Sequence, residues 1–175
     1  MAIEPNPGVH ALPSSISELP NVPAVYALYG GRGRSSHIAY VGIARKLKQR
    51  VMQHLVNRDS SVTTGTSAAG INPDHVTQVG WWEHPRFDEE RFLEAAELVA
   101  FEVLDPVLRS RVSGPARAKQ TLENDENFRK IMWSMFEGEP TGVLPIPTLE
   151  DALTRLAEVE RRLASLERIV ARDHP

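Results

Sequence analysis

The chain has 175 residues, 41% hydrophobic and 25% charged, enough for one ordinary domain with a buried core and a small addition. It has no cysteine, which excludes disulfides, thiolate metal sites and a cysteine nucleophile, and its net charge of −3 excludes a uniformly basic nucleic-acid coat. The opening MAIEPNPGVHALPSSISELP has no secretory pattern and no apolar run approaches the ~20 residues of a membrane span, so a cytoplasmic protein with no membrane association is expected.

Residues 1–21 are Pro-rich and read as an extended arm. VPAVYALY (22–29) is rich in β-branched and aromatic residues, GGRGRSS breaks it, and HIAYVG (37–42) resumes, which predicts a hairpin with a long basic loop. From Arg45 to Asn57, Leu47, Val51 and Leu55 recur at helical spacing. DSSVTTGTSAAGINPD (59–74) is a polar loop, and VTQVGWWEH (76–84) predicts a third strand. Asp88 is placed to cap a helix with Glu89 and Glu90 in its first turn and Pro106 at its end. A further helix is predicted over 123–137, and EPTGVLPIPT reads as a linker.

Together these elements predict an α/β (α+β) fold: a small, mainly antiparallel three-stranded sheet flanked by helices, followed by a coiled-coil-like helix. The expected divisions are an arm over 1–21, a core domain over 22–112, a helical extension with its Pro-rich linker over 113–147, and the terminal helix over 148–173.

Charge is segregated along the chain. Leu19 to Arg58 contains no Asp or Glu but holds Arg32, Arg34, Arg45, Lys46, Lys48, Arg50 and Arg58. Glu83 to Asp105 is acidic, with Asp88, Glu89, Glu90, Glu94, Glu97 and Glu102 inside. A basic segment suits phosphate and an acidic one suits a metal, although two solvated faces of opposite sign would look the same. None of the six histidines has the HxxxH spacing of a zinc site.

Two helices carry polar residues where a core stripe belongs. At ~100° per residue, His54 falls inside the stripe of Leu47, Val51 and Leu55, with Arg50 at its edge. An arginine fork there matches phosphate oxygens. Glu97 is four residues from both Leu93 and Phe101, so it points close to the buried stripe of its helix, with Glu94 about 60° away. A carboxylate so placed requires a partner, either Arg50 or a hard cation such as Mg²⁺. Tyr26 and Tyr40 lie mid-strand, and a hairpin pairing residue 29 with 37 would set them directly opposite, on one face of the sheet.

In this order and spacing the residues resemble the GIY-YIG nuclease superfamily. Ala24-Val25-Tyr26 stands for the first motif and Tyr40-Val41-Gly42 for the second, with Arg50 ten residues after the second tyrosine and His54 four further on. Glu97, Ala100, Phe101 and Pro106 match a later pattern resembling E-x₂-apolar-apolar-x₄-P, so the likeness covers about residues 22–110. Ala24 replaces the first motif's glycine, Ile43 a lysine found in some members, and Arg109 a polar residue that is often Asn.

The resemblance implies a metal-dependent endonuclease that hydrolyses phosphodiester bonds in DNA by a one-metal mechanism. Its catalytic residues would be Tyr26, Tyr40, Arg50, His54 and Glu97, with Glu97 holding Mg²⁺ or Mn²⁺. Arg32, Arg34, Arg45, Lys46 and Lys48 would bind nucleic acid. A free phenol has a pKa of about 10, so either tyrosine would need a neighbouring cation to act as a base near neutrality. A catalytically inactive nucleic-acid-binding module on the same fold, or a coiled-coil assembly protein, are the competing readings.

The tail supports the last of these in part. Leu149, Leu156, Leu163 and Val170 repeat every seven residues, with Ala152, Val159 and Leu166 at the partner position. This predicts a parallel two-stranded coil and a homodimer, with docking on the chain's own domain as the alternative.

Overall fold

The computed structural model describes residues 16–30, 37–57, 71–108, 114–147 and 149–173. It is an α+β fold: a four-stranded antiparallel sheet with five α-helices among the described residues. The strands are β1 (Ala24–Gly30), β2 (Ile38–Ala44), β3 (Val76–Trp82) and β4 (Gly142–Pro145), in the order β2-β1-β3-β4. The helices are α1 (Leu47–Met52), α2 (Glu90–Leu104), α3 (Ala116–Asn124), α4 (Glu126–Glu137) and α5 (Leu149–Asp173). Among the described residues no helix is long and apolar enough to cross a membrane.

The central strand β1 is buried on both faces, which explains its nearly unbroken apolar sequence. Val25 and Ala27 face a core shared with Phe92, Leu93, Val99, Phe128 and Met132 of α2 and α4. Ala24, Tyr26 and Leu28 face a second core with Leu47 and Val51 of α1, Val79 and Trp81 of β3, and Leu144 of β4. The sheet therefore separates a helical layer from a thinner layer in which α1 and the segment before β1 close the opposite face. The Leu47 and Lys48 N–H groups donate to the Val22 and Pro20 carbonyls at 3.1 and 3.2 Å, so backbone from this segment satisfies the start of α1.

Four details differ from the sequence reading. The sheet has four strands rather than three: β4 arises within EPTGVLPIPT, where Gly142 to Pro145 pair with Trp81 to Gln78 of β3. Prolines mark a linker in sequence but are tolerated on an edge strand, and β4 is an edge. The helix predicted over 123–137 is α4, starting at Glu126, and α3 just before it was not predicted. Asp125 separates them and caps α4 by accepting from the Phe128 N–H at 2.8 Å, while its other oxygen takes Arg86 Nη1 at 2.7 Å. Asp88 ends a 3₁₀ turn instead of capping α2, which begins at Glu90 without a side-chain cap.

The fourth difference is register. Tyr29 pairs with Ile38 and Leu28 with Tyr40, so Ala39 is an extra residue in β2 and Tyr26 lies opposite Gly42, not Tyr40. The displacement from the assumed register is two residues, and side chains alternate with period two, so both tyrosines still share a face. The bulged edge is covered by the chain after α2: the Val107 and Leu108 N–H groups donate to the Ile38 and Ala39 carbonyls at 3.0 and 2.9 Å.

Leu144 is fully buried on the face opposite α2. Leu144→Ala should lower stability by about 2–5 kcal/mol, as for other large-to-small core changes. An unchanged denaturant midpoint would show that β4 adds nothing to the core.

Candidate active site

Tyr26 and Tyr40 project from β1 and β2 into the thinner layer, with ring centroids 6.0 Å apart. Gly42, opposite Tyr26, makes room for this pair. A Cβ there would lie 2.7 Å from Tyr40 Cε1, 2.8 Å from Tyr40 Oη and 2.9 Å from Tyr26 Oη. The glycine of the second motif is thus a steric requirement of the two phenols, a role that its place in the motif did not disclose.

The third ring arrives from the helix after β2. At Gln53 the α-helical winding of α1 widens into a π-helical turn, Gln53–Asn57, a feature often found at functional sites. His54 is fully buried there, its ring centroid 5.8 Å from that of Tyr26 and 5.6 Å from that of Tyr40. Its Nε2 lies 2.6 Å from Tyr26 Oη. Leu47, Val51 and His54 therefore form the inner stripe, as their spacing predicts, while Leu55 is only half-buried.

Arg50, one turn earlier and half-buried, donates from Nη1 to Gln53 Oε1 at 3.1 Å, and its charge acts on both phenols. With Tyr26 as the donor in the contact to His54 Nε2, the imidazole proton lies on Nδ1. These proton positions are assigned from the network.

Burial sets the charge states. It raises the Tyr26 phenol well above its ordinary pKa, with Tyr40 adding to the effect and Arg50 only partly opposing it. Tyr40 is raised by burial as well, and the charge of Glu97 adds to that shift. His54 is lowered to about 4, first by burial and then by repulsion from Arg50. Burial works against the Arg50 charge too, but the two phenols outweigh it and raise its pKa. Near neutrality the cluster is two phenols, one neutral imidazole and one fixed cation.

Exposure divides the tyrosines. Tyr26 has no accessible surface, whereas Tyr40 keeps 7%. Tyr40 and Arg50 are therefore the members that meet solvent, with Tyr26 and His54 behind them.

On α2 the two candidate carboxylates have separate fates. Glu94 is the more buried, at 9%, and is held by a bidentate pair with Arg117, which also reaches Glu90 at 3.5 Å. Glu97 is half-buried and its charge acts on Tyr40. Mg²⁺ keeps several waters and takes one or two protein carboxylates, and a half-buried carboxylate whose charge reaches Tyr40 fits that chemistry. No three His, Cys, Asp or Glu gather into a group that could hold a metal among the described residues.

The remaining basic candidates are peripheral. Arg45 is exposed and pairs with Glu90 at 3.2 Å, Lys46 is exposed just before α1, and Lys48 is half-buried in its first turn. Arg32 and Arg34 lie outside the described residues. Two contributors were missed in sequence. Gln53, three residues from Arg50, was legible from helical spacing, whereas Arg117, 23 residues from Glu94, left no local signal.

Comparison with protein-family models, curated proteins and solved structures finds no match to this chain. The motif resemblance therefore stands on these residues and their arrangement alone.

Two measurements probe the cluster. Between pH 6.5 and about 4 the unfolded chain protonates His54 and the folded chain does not, so stability falls as pH falls through that window. The full loss, on the order of 3 kcal/mol, is reached below about pH 4. His54→Gln should remove this part of the slope, seen as the difference between the two unfolding-versus-pH curves. Parallel curves would mean that His54 titrates normally.

Gly42→Ala should drive the phenols apart, at a cost of about 1–3 kcal/mol as for other overpacked cores. The His54 imidazole resonances in NMR should move with it, and unchanged resonances would mean that the pair does not depend on this gap.

Proposed function

We propose that the chain is a metal-dependent endonuclease that hydrolyses phosphodiester bonds in DNA on a GIY-YIG-type core. The observation that carries this reading is the convergence of Tyr26, Tyr40 and His54 into one ring cluster under the charge of Arg50, with the charge of Glu97 acting on Tyr40. Core packing alone explains a buried aromatic pair. It gives no reason for a half-buried arginine to face two phenols that burial keeps neutral.

In this mechanism a DNA phosphate lies over Tyr40 and Arg50, the exposed edge of the cluster. Arg50 donates to the phosphoryl oxygens and stabilises the charge that builds on them. Glu97 would hold Mg²⁺ or Mn²⁺, whose chemistry when bound would be to polarise the phosphate and ease departure of the leaving oxygen. Tyr40 Oη accepts a hydrogen bond from the attacking water.

Neither phenol is ionised at rest, so the proton needs another acceptor. The one neutral base in the cluster is His54 Nε2, 2.6 Å from Tyr26 Oη and behind the Tyr40 ring. As the water gives its proton to Tyr40 Oη, the Tyr40 proton moves to Tyr26 Oη and the Tyr26 proton to His54 Nε2. The Arg50 charge opposes an imidazolium in the free protein. A phosphate seated on Arg50 offsets that repulsion, which links proton uptake to substrate binding.

The decisive experiment is incubation with supercoiled plasmid in Mg²⁺, in Mn²⁺ and in EDTA. Nicking is expected with either metal and not with EDTA. Glu97→Gln should abolish it with folding intact, and Arg50→Ala should slow it by about 100-fold or more, the cost of losing a transition-state charge stabiliser. Lys48→Ala should mainly weaken binding and flatten its salt dependence. Binding without cleavage under either metal would favour the inactive module, and equal effects of Arg50→Ala and Lys48→Ala would reduce Arg50 to a phosphate contact.

A further inference from the structure

α5 carries an apolar stripe that nothing among the described residues covers. Leu153, Leu156, Val159, Leu163, Leu166 and Ile169 are each 51–57% exposed, although they recur on one side of the helix. Monomeric proteins rarely leave so continuous a stripe in water. The helix extends from the end of β4 and does not lay this face on either core.

The charges beside the stripe identify its occupant. With Leu156 and Leu163 at heptad position a and Ala152, Val159 and Leu166 at d, position g holds Arg155 and Arg162 and position e holds Glu160 and Glu167. In a parallel, in-register pair each g residue faces the e residue five positions later on the partner helix. Arg155 then meets Glu160 of the other copy, and Arg162 meets Glu167, on both flanks of the seam. Turning one helix around sets g against g and e against e, arginine against arginine and glutamate against glutamate. The pattern is complementary to itself in only one of the two orientations.

Charges already paired within the helix leave this scheme intact. Glu158 takes both Arg161 and Arg162, the latter from Nε at 2.9 Å. Arg162 retains further guanidinium donors for a partner carboxylate. At the flanks, Leu153 in position e and Ile169 in position g widen the apolar seam at its two ends.

We propose that α5 pairs with α5 of a second copy of this chain in a parallel, in-register two-stranded coil, with the Arg155–Glu160 and Arg162–Glu167 contacts setting its direction. The pairing stands independently of the nuclease reading. It brings the two globular domains to the same end of the coil, their α5 axes roughly 8–10 Å apart. Whatever the candidate site acts on would then meet two copies side by side.

The full chain tests this directly. Light scattering at tens of micromolar should give twice the 19.5 kDa mass of one chain, and a mass of 19.5 kDa overturns the proposal. Orientation is read by cross-linking, because the natural sequence has no cysteine. Under a mild oxidant Ala152→Cys should convert to a disulfide-linked dimer, whereas Thr154→Cys, on the outer side of the same turn, should not. In an antiparallel pair the two introduced thiols would lie at opposite ends, roughly 27 Å apart at ~1.5 Å per residue, and would not cross-link. Dimer without an Ala152→Cys cross-link therefore overturns the parallel arrangement.

A charge exchange covers the case in which the cysteine disturbs the seam. Arg155→Glu with Arg162→Glu, and separately Glu160→Arg with Glu167→Arg, should each give monomers. Mixing the two variants should restore a particle of two chains, one of each. Variants that dimerise alone as well as the natural chain would show that these charges do not set the pairing.

Discussion

The site depends on the 2.6 Å contact between Tyr26 Oη and His54 Nε2. Each is a polar group with no access to water, placed in an otherwise apolar layer, and each would cost about 1–3 kcal/mol if left without a partner. Paired, they satisfy one another and fix the end of α1 to the middle of the central strand. The π-helical turn contains His54, so the helix widens where that side chain reaches the sheet. Arg50 is then held one turn back at the opening of the layer, against both phenols.

This geometry gives the cluster a definite electrostatic preference. Burial resists charge on both phenols and on the imidazole, leaving Arg50 as the fixed ion that faces them. A cation half-shielded from water and backed by neutral dipoles binds an anion more strongly than the same cation on an open surface. Glu97 supplies the opposite sign nearby, acting on Tyr40. Arg50 in these surroundings therefore favours an anionic ligand, which the proposed phosphodiester substrate would supply.

Much of this was legible in the sequence because the signals were local. β1, β2 and β3 stood out as β-branched and aromatic runs, and the shared face of Val51, His54 and Arg50 followed from helical rotation. What was not legible depended on partners distant in the chain or on irregular backbone. β4 is four residues among prolines, recognisable as a strand only beside β3. The hairpin register depended on the extra residue Ala39, whose exposed carbonyl is taken by the backbone of Leu108. The two-residue error did not disturb the site, since it returns each tyrosine to the same face. A one-residue error would have placed Tyr26 or Tyr40 among the α2 contacts instead.

Glu94 and Glu97 show why spacing alone could not have ranked the two carboxylates. Both lie near the buried side of α2, and by rotation Glu97, in line with Leu93 and Phe101, is the more inward. The structure buries Glu94 more deeply because Arg117 from α3 closes over it and supplies two hydrogen bonds. A carboxylate so compensated is committed to holding α3 against α2, and losing Arg117 would leave a nearly buried charge without its counter-ion. Glu97 is less buried and lies on the side of the helix whose charge Tyr40 senses. The difference in burial between two carboxylates one turn apart is thus set by an arginine 23 residues away in the chain.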